Sequence, residues 1–126
     1  YFDKGENQKA IESYNNAINF KPNFPEAYYN RGNVYYALGN VDMSISDYNN
    51  AIRLRPNYAY AYYNKANALS AQGNIAEAIE GYEKFLYFVN PNDPNVNNAK
   101  LRLEGLKNRS NNQPLVTEPI RKTRDN

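Results

Sequence analysis

Hydrophobic residues recur along this chain at intervals of three and four, which is the spacing of one face of an α-helix. One stripe predicts a helix over about residues 25–38, with Pro25 suited to its first turn. Gly39 then breaks the pattern in the manner of a helix C-cap and turn. A second stripe predicts another helix from about Val41 to the residues before Pro56. Together the two stripes predict a helical hairpin.

The same pattern predicts helices on both sides of this hairpin. Downstream, we expect helices near residues 59–72 and 75–88, around a second Gly-Asn turn. Upstream, we expect only the end of a helix before Gly5, followed by a helix near residues 7–20.

A terminal helix of a different kind is expected after the second hairpin. Asp93 offers an N-cap and Pro94 suits the first helical turn, and apolar residues then fall at helical spacing to about Lys107. A helical array needs a terminal unit with a polar outer face, so we predict a capping helix within residues 92–108. Residues 109–126 are basic, contain two prolines and show no period, which is typical of a tail.

The hairpins are copies of one unit. Residues 28–33 read Tyr-Tyr-Asn-Arg-Gly-Asn, and 34 residues later residues 62–67 read Tyr-Tyr-Asn-Lys-Ala-Asn. The second half of the unit recurs at the same offset. The repeats therefore comprise a partial copy over 1–24 and two full copies over 25–58 and 59–91.

This unit resembles the tetratricopeptide repeat, which has the same period and whose slots hold an aromatic, a Leu-Gly pair, Tyr, Ala, an aromatic and Pro. In the second copy those slots are filled by Tyr28, Arg31-Gly32, Tyr35, Ser44, Tyr48 and Pro56. Arg31 departs from the family's Leu and exchanges an apolar contact for a basic head on an aliphatic stem. The resemblance covers roughly residues 1–91 and implies an all-α fold, a right-handed superhelix of helical hairpins with a C-terminal capping helix.

In this family the first helix of each hairpin lines a concave groove that receives an extended peptide or a partner helix. The resemblance implies a groove lined by Glu26, Tyr29, Asn33, Tyr36 and Ala37 from the second copy and by Tyr60, Tyr63, Asn64, Asn67, Ser70 and Ala71 from the third. Tyr offers a large contact area with a hydroxyl, and Asn can bind a peptide backbone as both donor and acceptor. We therefore expect a protein-protein interaction scaffold with a Tyr/Asn-lined groove. Asn is common in these slots across the family, so common ancestry explains the Asn residues equally well.

One subtype of the family binds carboxylate-ended chaperone tails through Lys and Asn on one first helix, Asn on the next, and Lys and Arg on a third. Asn33 and Asn64 match this pattern, but Tyr29 occupies the Lys slot. Lys100 and Arg102 are two residues apart and cannot share a helix face. The sequence disfavours such a clamp.

Charge is uneven along the chain. Residues 1–99 carry eight Lys and Arg against ten Asp and Glu, whereas residues 100–126 carry seven against three. A basic segment can contact nucleic acid, but Glu26 and the Tyr and Asn lining argue against a nucleic-acid groove. A solvated tail is the simpler interpretation of the basic residues.

Signals of catalysis are missing from the sequence. The chain has no His and no Cys, which removes the commonest general base, the commonest metal ligands and the thiol nucleophile. No glycine-rich phosphate loop occurs, and no stretch is apolar enough to cross a membrane. We expect no enzyme activity, cofactor or metal in this segment. The alternative is a regulatory or substrate-recruiting segment of a larger enzyme.

The chain opens at Tyr1 within a repeat and has no initiating Met, so we expect a longer parent protein whose N-terminal part is missing. The compartment stays open, with the cytoplasm favoured. The helix carrying Ile11, Tyr14 and Ile18 would then lack part of its hairpin partner. We expect self-association through that face, with cover by the 114–120 segment or fraying as alternatives.

Overall fold

The computed structural model describes residues 4–112, which form six α-helices and, within that range, no strand. The helices are α1 (Lys4–Phe20), α2 (Pro25–Ala37), α3 (Val41–Leu54), α4 (Ala59–Ala71), α5 (Ile75–Phe88) and α6 (Val96–Asn112). The predicted all-α fold class is confirmed.

Each hairpin turns on a glycine in the left-handed region of backbone space. Gly39 has φ of 85°, and the turn closes by N–H groups of Asn40 and Gly39 that donate to the carbonyls of Tyr35 (2.8 Å) and Tyr36 (3.0 Å). Gly73, with φ of 83°, repeats this arrangement between α4 and α5. This pair of bonds satisfies the last carbonyls of the first helix, and only glycine adopts the required φ without strain.

The helices stack in chain order. α2 packs on α3 and α4 packs on α5 to form two hairpins, while α1, α3 and α5 join these hairpins to their neighbours along the chain. The first helices of the two hairpins, α2 and α4, also contact each other directly. Residues that share the exposed side of α2 and α4 therefore lie on one continuous surface.

The two helices of each hairpin approach closely at a glycine. A Cβ atom at Gly32 would lie 3.2 Å from the Cβ atom of Asp47. In the second hairpin the glycine stands on the other helix, and a Cβ atom at Gly81 would lie 2.9 Å from that of Ala66. One small residue at each crossing is sufficient to let the helix axes approach.

Phe85 joins the second hairpin to α6. It is fully buried, and its ring centroid lies 4.7 Å from that of Tyr63 and 5.2 Å from that of Tyr60. Ala99 of α6 belongs to the same core cluster and is also fully buried. Phe85 stands where earlier copies have Ala, and its extra volume fills the space under α6.

Two helices differ from their predicted bounds. α1 begins at Lys4 and includes Gly5, because one glycine in a helix costs only about 1 kcal/mol relative to alanine. The helix that was expected to end before Gly5 falls mainly in residues 1–3, outside the described range. α6 begins at Val96, because the Asp93 carboxylate accepts the backbone N–H of Asn95 (2.8 Å) in a turn that precedes the helix. α6 also continues to Asn112, so residues 109–112, predicted as tail, are helical. The rest of that predicted tail lies outside the described residues.

The face of α1 that carries Ile11, Tyr14 and Ile18 is covered in part. Ile11 exposes only 8% of its surface, whereas Tyr14 and Ile18 are half-buried. α2 packs against α1. Self-association stays a prediction, which light scattering over a wide concentration range would test. The 114–120 segment lies outside the described residues.

Candidate functional site

A pocket opens on the side of the array that α2 and α4 share. It has a volume of about 210 Å³ and is lined by Asn33, Tyr36, Tyr48, Asn64 and Asn67. We call this the groove pocket. Four of its five residues were predicted to line a groove, and Tyr48 reaches it from the second helix of its hairpin.

Asn33 joins three helices at the floor of the groove pocket. Its side-chain oxygen accepts hydrogen bonds from the Tyr48 hydroxyl (2.6 Å) and from the Asn64 amide (2.9 Å). α2, α3 and α4 are thereby linked through one carbonyl oxygen. Hydrogen bonds between half-buried polar groups of this kind fix side-chain orientation as well as helix spacing.

Asn67 forms the equivalent junction one repeat later. Its side-chain oxygen accepts hydrogen bonds from the Tyr82 hydroxyl and from Nη1 of Arg102 (3.4 Å). Asn67 therefore links α4, α5 and α6 in the same way that Asn33 links α2, α3 and α4. Arg102 reaches this surface from α6.

Neither Tyr48 nor Tyr82 was predicted to reach the groove, and Arg102 was considered only as part of a carboxylate clamp. A signal for the tyrosines was present, because each follows its asparagine by 15 residues. A buried tyrosine usually finds a hydrogen-bond partner for its hydroxyl, and phenylalanine would fill a purely apolar slot as well. The sequence contains no comparable signal for Arg102, because the direction of its side chain depends on how α6 packs against the other helices.

Tyr29 lies beside the groove pocket. Its hydroxyl accepts a hydrogen bond from the Asn64 amide (2.9 Å), and its ring centroid lies 4.9 Å from that of Tyr58. Burial raises the pKa of the Tyr29 hydroxyl, and the neighbouring amides of Asn33 and Asn64 oppose that shift. Tyr29 is therefore held in place by protein groups.

Glu26 is occupied by an ion pair at the start of α2. Arg55 bonds its carboxylate and lies over the Tyr58 ring, 4.7 Å from the centroid. The hydrogen bond from Arg55 lowers the pKa of the Glu26 carboxyl. Its predicted place in the groove stays a prediction, but in this structure its charge is already paired.

Tyr60 supports the turn that leads into α6. Its hydroxyl donates to the Asp93 carboxylate (2.5 Å) and accepts from the Asn95 amide (3.0 Å). These bonds tie the start of α4 to the segment that precedes α6. Tyr60 therefore has a structural role in addition to its predicted one.

Tyr63 is a core residue in this structure. It exposes only 8% of its surface and packs edge-on against Tyr82, with ring centroids 5.8 Å apart. A side chain this deeply buried offers little contact area to a ligand, and the predicted role of Tyr63 as a groove contact stays a prediction. The sequence pattern could not separate it from Tyr29, which stands in the same slot of the preceding copy.

Tyr36 and Ser70 lie near the ends of their helices. Tyr36 exposes 40% of its surface and lines the groove pocket. Ser70 is half-buried in the last turn of α4 and does not belong to the pocket lining. Tyr36 is the large aromatic side chain that the groove pocket leaves open to a ligand.

Among residues 4–112, no group of three or more acidic side chains is arranged to hold a metal ion. In the same range, none of the helices combines the length and apolar character that a membrane span needs.

Solved structures with the same fold include peptide complexes. The first tetratricopeptide repeat domain of Spaghetti (RPAP3), bound to the HSP90 peptide SRMEEVD, is 28% identical over 88% of this chain and 85% of its own, with a TM-score of 0.77. The first such domain of human RPAP3 is 27% identical over 90% and 88%, with a TM-score of 0.76. The secretion chaperone SycD of Yersinia enterocolitica, in complex with a peptide of the translocator YopD, shares the fold at 18% identity over 84% and 83%, with a TM-score of 0.78.

Family models place the repeats directly on the sequence. A model described as a TPR repeat matches residues 1–39, and two models described as tetratricopeptide repeats match residues 25–58 and 47–80. No curated protein matches the chain. The match over 25–58 coincides with the second copy of the sequence repeat and with the hairpin of α2 and α3. The chain belongs to the tetratricopeptide repeat family.

Proposed function

We propose that this chain is a non-catalytic scaffold that binds an extended peptide or a partner helix in a Tyr/Asn-lined groove on the shared side of α2 and α4. The groove pocket is the observation that carries this proposal, since it is open, lies across two first helices and presents both an aromatic ring and amide groups. The RPAP3 domain, which is 28% identical, is bound to a peptide of HSP90. Domains of this family act generally as interaction modules, which supports a non-catalytic role.

The composition of the groove pocket suits a peptide main chain. Tyr36 offers a half-exposed ring with one hydroxyl, which gives a large contact area at low entropic cost. The groove pocket contains amide side chains from both first helices, with Asn33 on α2 and Asn64 and Asn67 on α4. An amide can form hydrogen bonds with both the N–H and the carbonyl groups of a peptide backbone. A peptide that crosses both helices would contact an amide group on each of them.

Two exposed tyrosines allow a matched test. Tyr36 lines the groove pocket, whereas Tyr87 on α5 exposes 81% of its surface and lines a different pocket. We would select a 12-residue peptide from a random library on the full chain and measure its affinity for both alanine variants. Tyr36→Ala is expected to weaken binding by about 1 to 3 kcal/mol, as removal of an interface tyrosine typically does. Tyr87→Ala is the control and should bind as the unmodified chain does.

Either of two results would reject the groove. One is that no peptide is enriched. The other is that the enriched peptide binds both variants with the affinity of the unmodified chain.

A further inference from the structure

A second pocket lies on α5 and shares no residue with the groove pocket. It has a volume of about 370 Å³ and is lined by Glu80, Glu83, Lys84, Tyr87 and Phe88. We call this pocket the α5 cleft. Its residues recur at helical intervals, so they lie along one stripe of α5. The α5 cleft therefore places two carboxylates next to two aromatic rings.

The two aromatic rings of the α5 cleft form an open corner. The ring centroids of Tyr87 and Phe88 lie 5.0 Å apart, with an angle of 79° between the ring planes. The Tyr62 ring stacks on Phe88 at 5.6 Å and supports it. Tyr87 exposes 81% of its surface, and no cationic side chain of residues 4–112 lies over either ring. An aromatic face that is open to solvent attracts cations.

The charges of the α5 cleft also favour a cation. Two carboxylates line it against one ammonium group, that of Lys84. Glu80 has no hydrogen-bond or ion-pair partner among residues 4–112. Lys107 of α6 lies 3.5 Å from the Glu83 carboxylate, but both side chains are about half exposed, so this pair is weak. The charge of Glu80 is therefore available beside the rings.

This chain builds a guanidinium site from the same parts in two other places. The guanidinium of Arg55 lies 4.7 Å from the ring centroid of Tyr58 and bonds the Glu26 carboxylate. That of Arg31 lies 5.6 Å from the ring centroid of a neighbouring tyrosine and bonds the Asp47 carboxylate. The α5 cleft has the ring and the carboxylates of these sites, but no guanidinium.

From this comparison we infer that the α5 cleft binds an arginine side chain of a partner protein, whose guanidinium lies over the Tyr87 ring and pairs with Glu80. This site is separate from the groove and gives the chain a second docking surface. A guanidinium suits it better than an ammonium, because a planar guanidinium stacks on a ring and forms two parallel hydrogen bonds with a carboxylate. A carboxylate ligand is disfavoured, because the carboxylates of the cleft outnumber its one ammonium group.

A capped Gly-Arg-Gly tripeptide is a direct probe of the α5 cleft. Its matched control contains citrulline, which has nearly the same shape as arginine but no charge. In an NMR titration of the full chain at low salt, we expect the arginine tripeptide to shift the ring signals of Tyr87, with a dissociation constant of about 1 to 10 mM. The citrulline tripeptide should bind about fivefold more weakly. Equal affinity of the two, or no shift up to about 20 mM, would overturn the inference.

Substitutions in the α5 cleft should change arginine binding in opposite directions. Tyr87→Ala is expected to weaken it about fivefold and Glu80→Gln about threefold. Lys84→Gln should strengthen it about twofold, because it removes a like charge. Phe20→Ala is the control, since Phe20 on α1 exposes 92% of its surface and does not line the cleft. An equal loss in the Phe20 variant, or weaker binding in the Lys84 variant, would contradict the assignment.

Two other occupants of the α5 cleft would give different results. Arg121, Lys122 and Arg124 are also cationic and lie outside the described residues. If their joint replacement by glutamine tightens tripeptide binding, this chain's own C-terminal segment occupies the cleft and the inference of a partner protein fails. If the Tyr87 ring signals of the free chain change on dilution, a second copy occupies it and the inference also fails. We expect neither change.

Discussion

Arg31 and Asp47 form a two-pronged ion pair between α2 and α3. Nε and Nη2 of Arg31 donate to the two carboxylate oxygens of Asp47, at 2.9 Å and 2.7 Å. Asp47 exposes only 3% of its surface. Nη1 of Arg31 donates to Asn15 of α1 (2.7 Å), so one guanidinium connects three helices. Parallel hydrogen bonds of this kind are among the strongest that side chains form.

The pair explains why Arg31 replaces the family's leucine. The guanidinium carbon lies 5.6 Å from the Tyr28 ring centroid and 5.8 Å from that of Tyr35, so its stem and head are packed between aromatic rings. In the next hairpin, the equivalent positions hold Lys65 and Gly81. The ion pair therefore belongs to one repeat, whereas the backbone fold is common to both.

Removal of one partner should be costly. Arg31→Leu leaves the Asp47 carboxylate buried without its partner, and breaking a buried pair in this way typically costs about 3 to 5 kcal/mol. Chemical denaturation followed by circular dichroism would measure the loss. The double variant Arg31→Leu with Asp47→Ala removes both charges and is expected to be more stable than Arg31→Leu alone. A double variant as unstable as the sum of the two single variants would show that the pair is not coupled.

Overpacking at the crossing of α2 and α3 gives a second prediction. A Cβ atom at Gly32 would already lie 2.9 Å from Cε1 of Tyr48, whose ring is buried. Gly32→Leu should therefore lower the free energy of unfolding by about 1 to 3 kcal/mol. Thermal unfolding is the measurement. Gly105→Leu is a suitable control, because no atom lies within 4 Å of a Cβ atom built there, and an equal loss in that variant would argue against a steric cause.

Alanine substitution should destabilise the fold at Tyr63 but not at Tyr36. Tyr63 is buried against Tyr82 and Phe85, so Tyr63→Ala creates a cavity and is expected to cost about 3 to 5 kcal/mol of stability, as other large aromatic truncations do. Tyr36 is 40% exposed, and its alanine variant should unfold within about 0.5 kcal/mol of the unmodified chain. Urea unfolding of both variants checks this. Comparable unfolding midpoints for the two variants would contradict the buried position of Tyr63.

Tyrosine ionisation should destabilise the fold at high pH. Burial raises the pKa of Tyr58 from the ordinary value of 10.0 to about 12, and burial also raises the pKa of Tyr48 and Tyr82. Because the folded-state pKa is the higher one, the stability that Tyr58 contributes is complete below pH 10 and is lost as the pH rises towards 12. Tyrosinate absorbance and circular dichroism, followed together, should show ionisation of these groups coupled to loss of helix.

A Tyr58→Phe variant provides the control for this titration. It lacks one of the raised ionisations, so its stability should depend less steeply on pH in the same range. If the stability of this variant depends on pH as steeply as that of the unmodified chain, ionisation of Tyr58 does not destabilise the fold.

The sequence alone determined the helices and the unit they build. Apolar spacing and the glycine turns at Gly39 and Gly73 are local properties, which act through neighbours within a few turns of the same chain, and the 34-residue offset can be read directly from the sequence. The groove slots followed from the family resemblance, and four of them, at Asn33, Tyr36, Asn64 and Asn67, meet around one pocket.

Only the tertiary structure decided which polar groups meet across helices. Asp47 gave no signal in the sequence, because its partner Arg31 lies 16 residues away on another helix. Tyr63 and Tyr29 share a slot, but α6 and Phe85 enclose Tyr63, and helical spacing does not encode what packs on top of it. The direction of the Asn67 amide likewise depends on Arg102, 35 residues later. Contacts between distant residues depend on how helices dock, and docking is a property of the whole packed array.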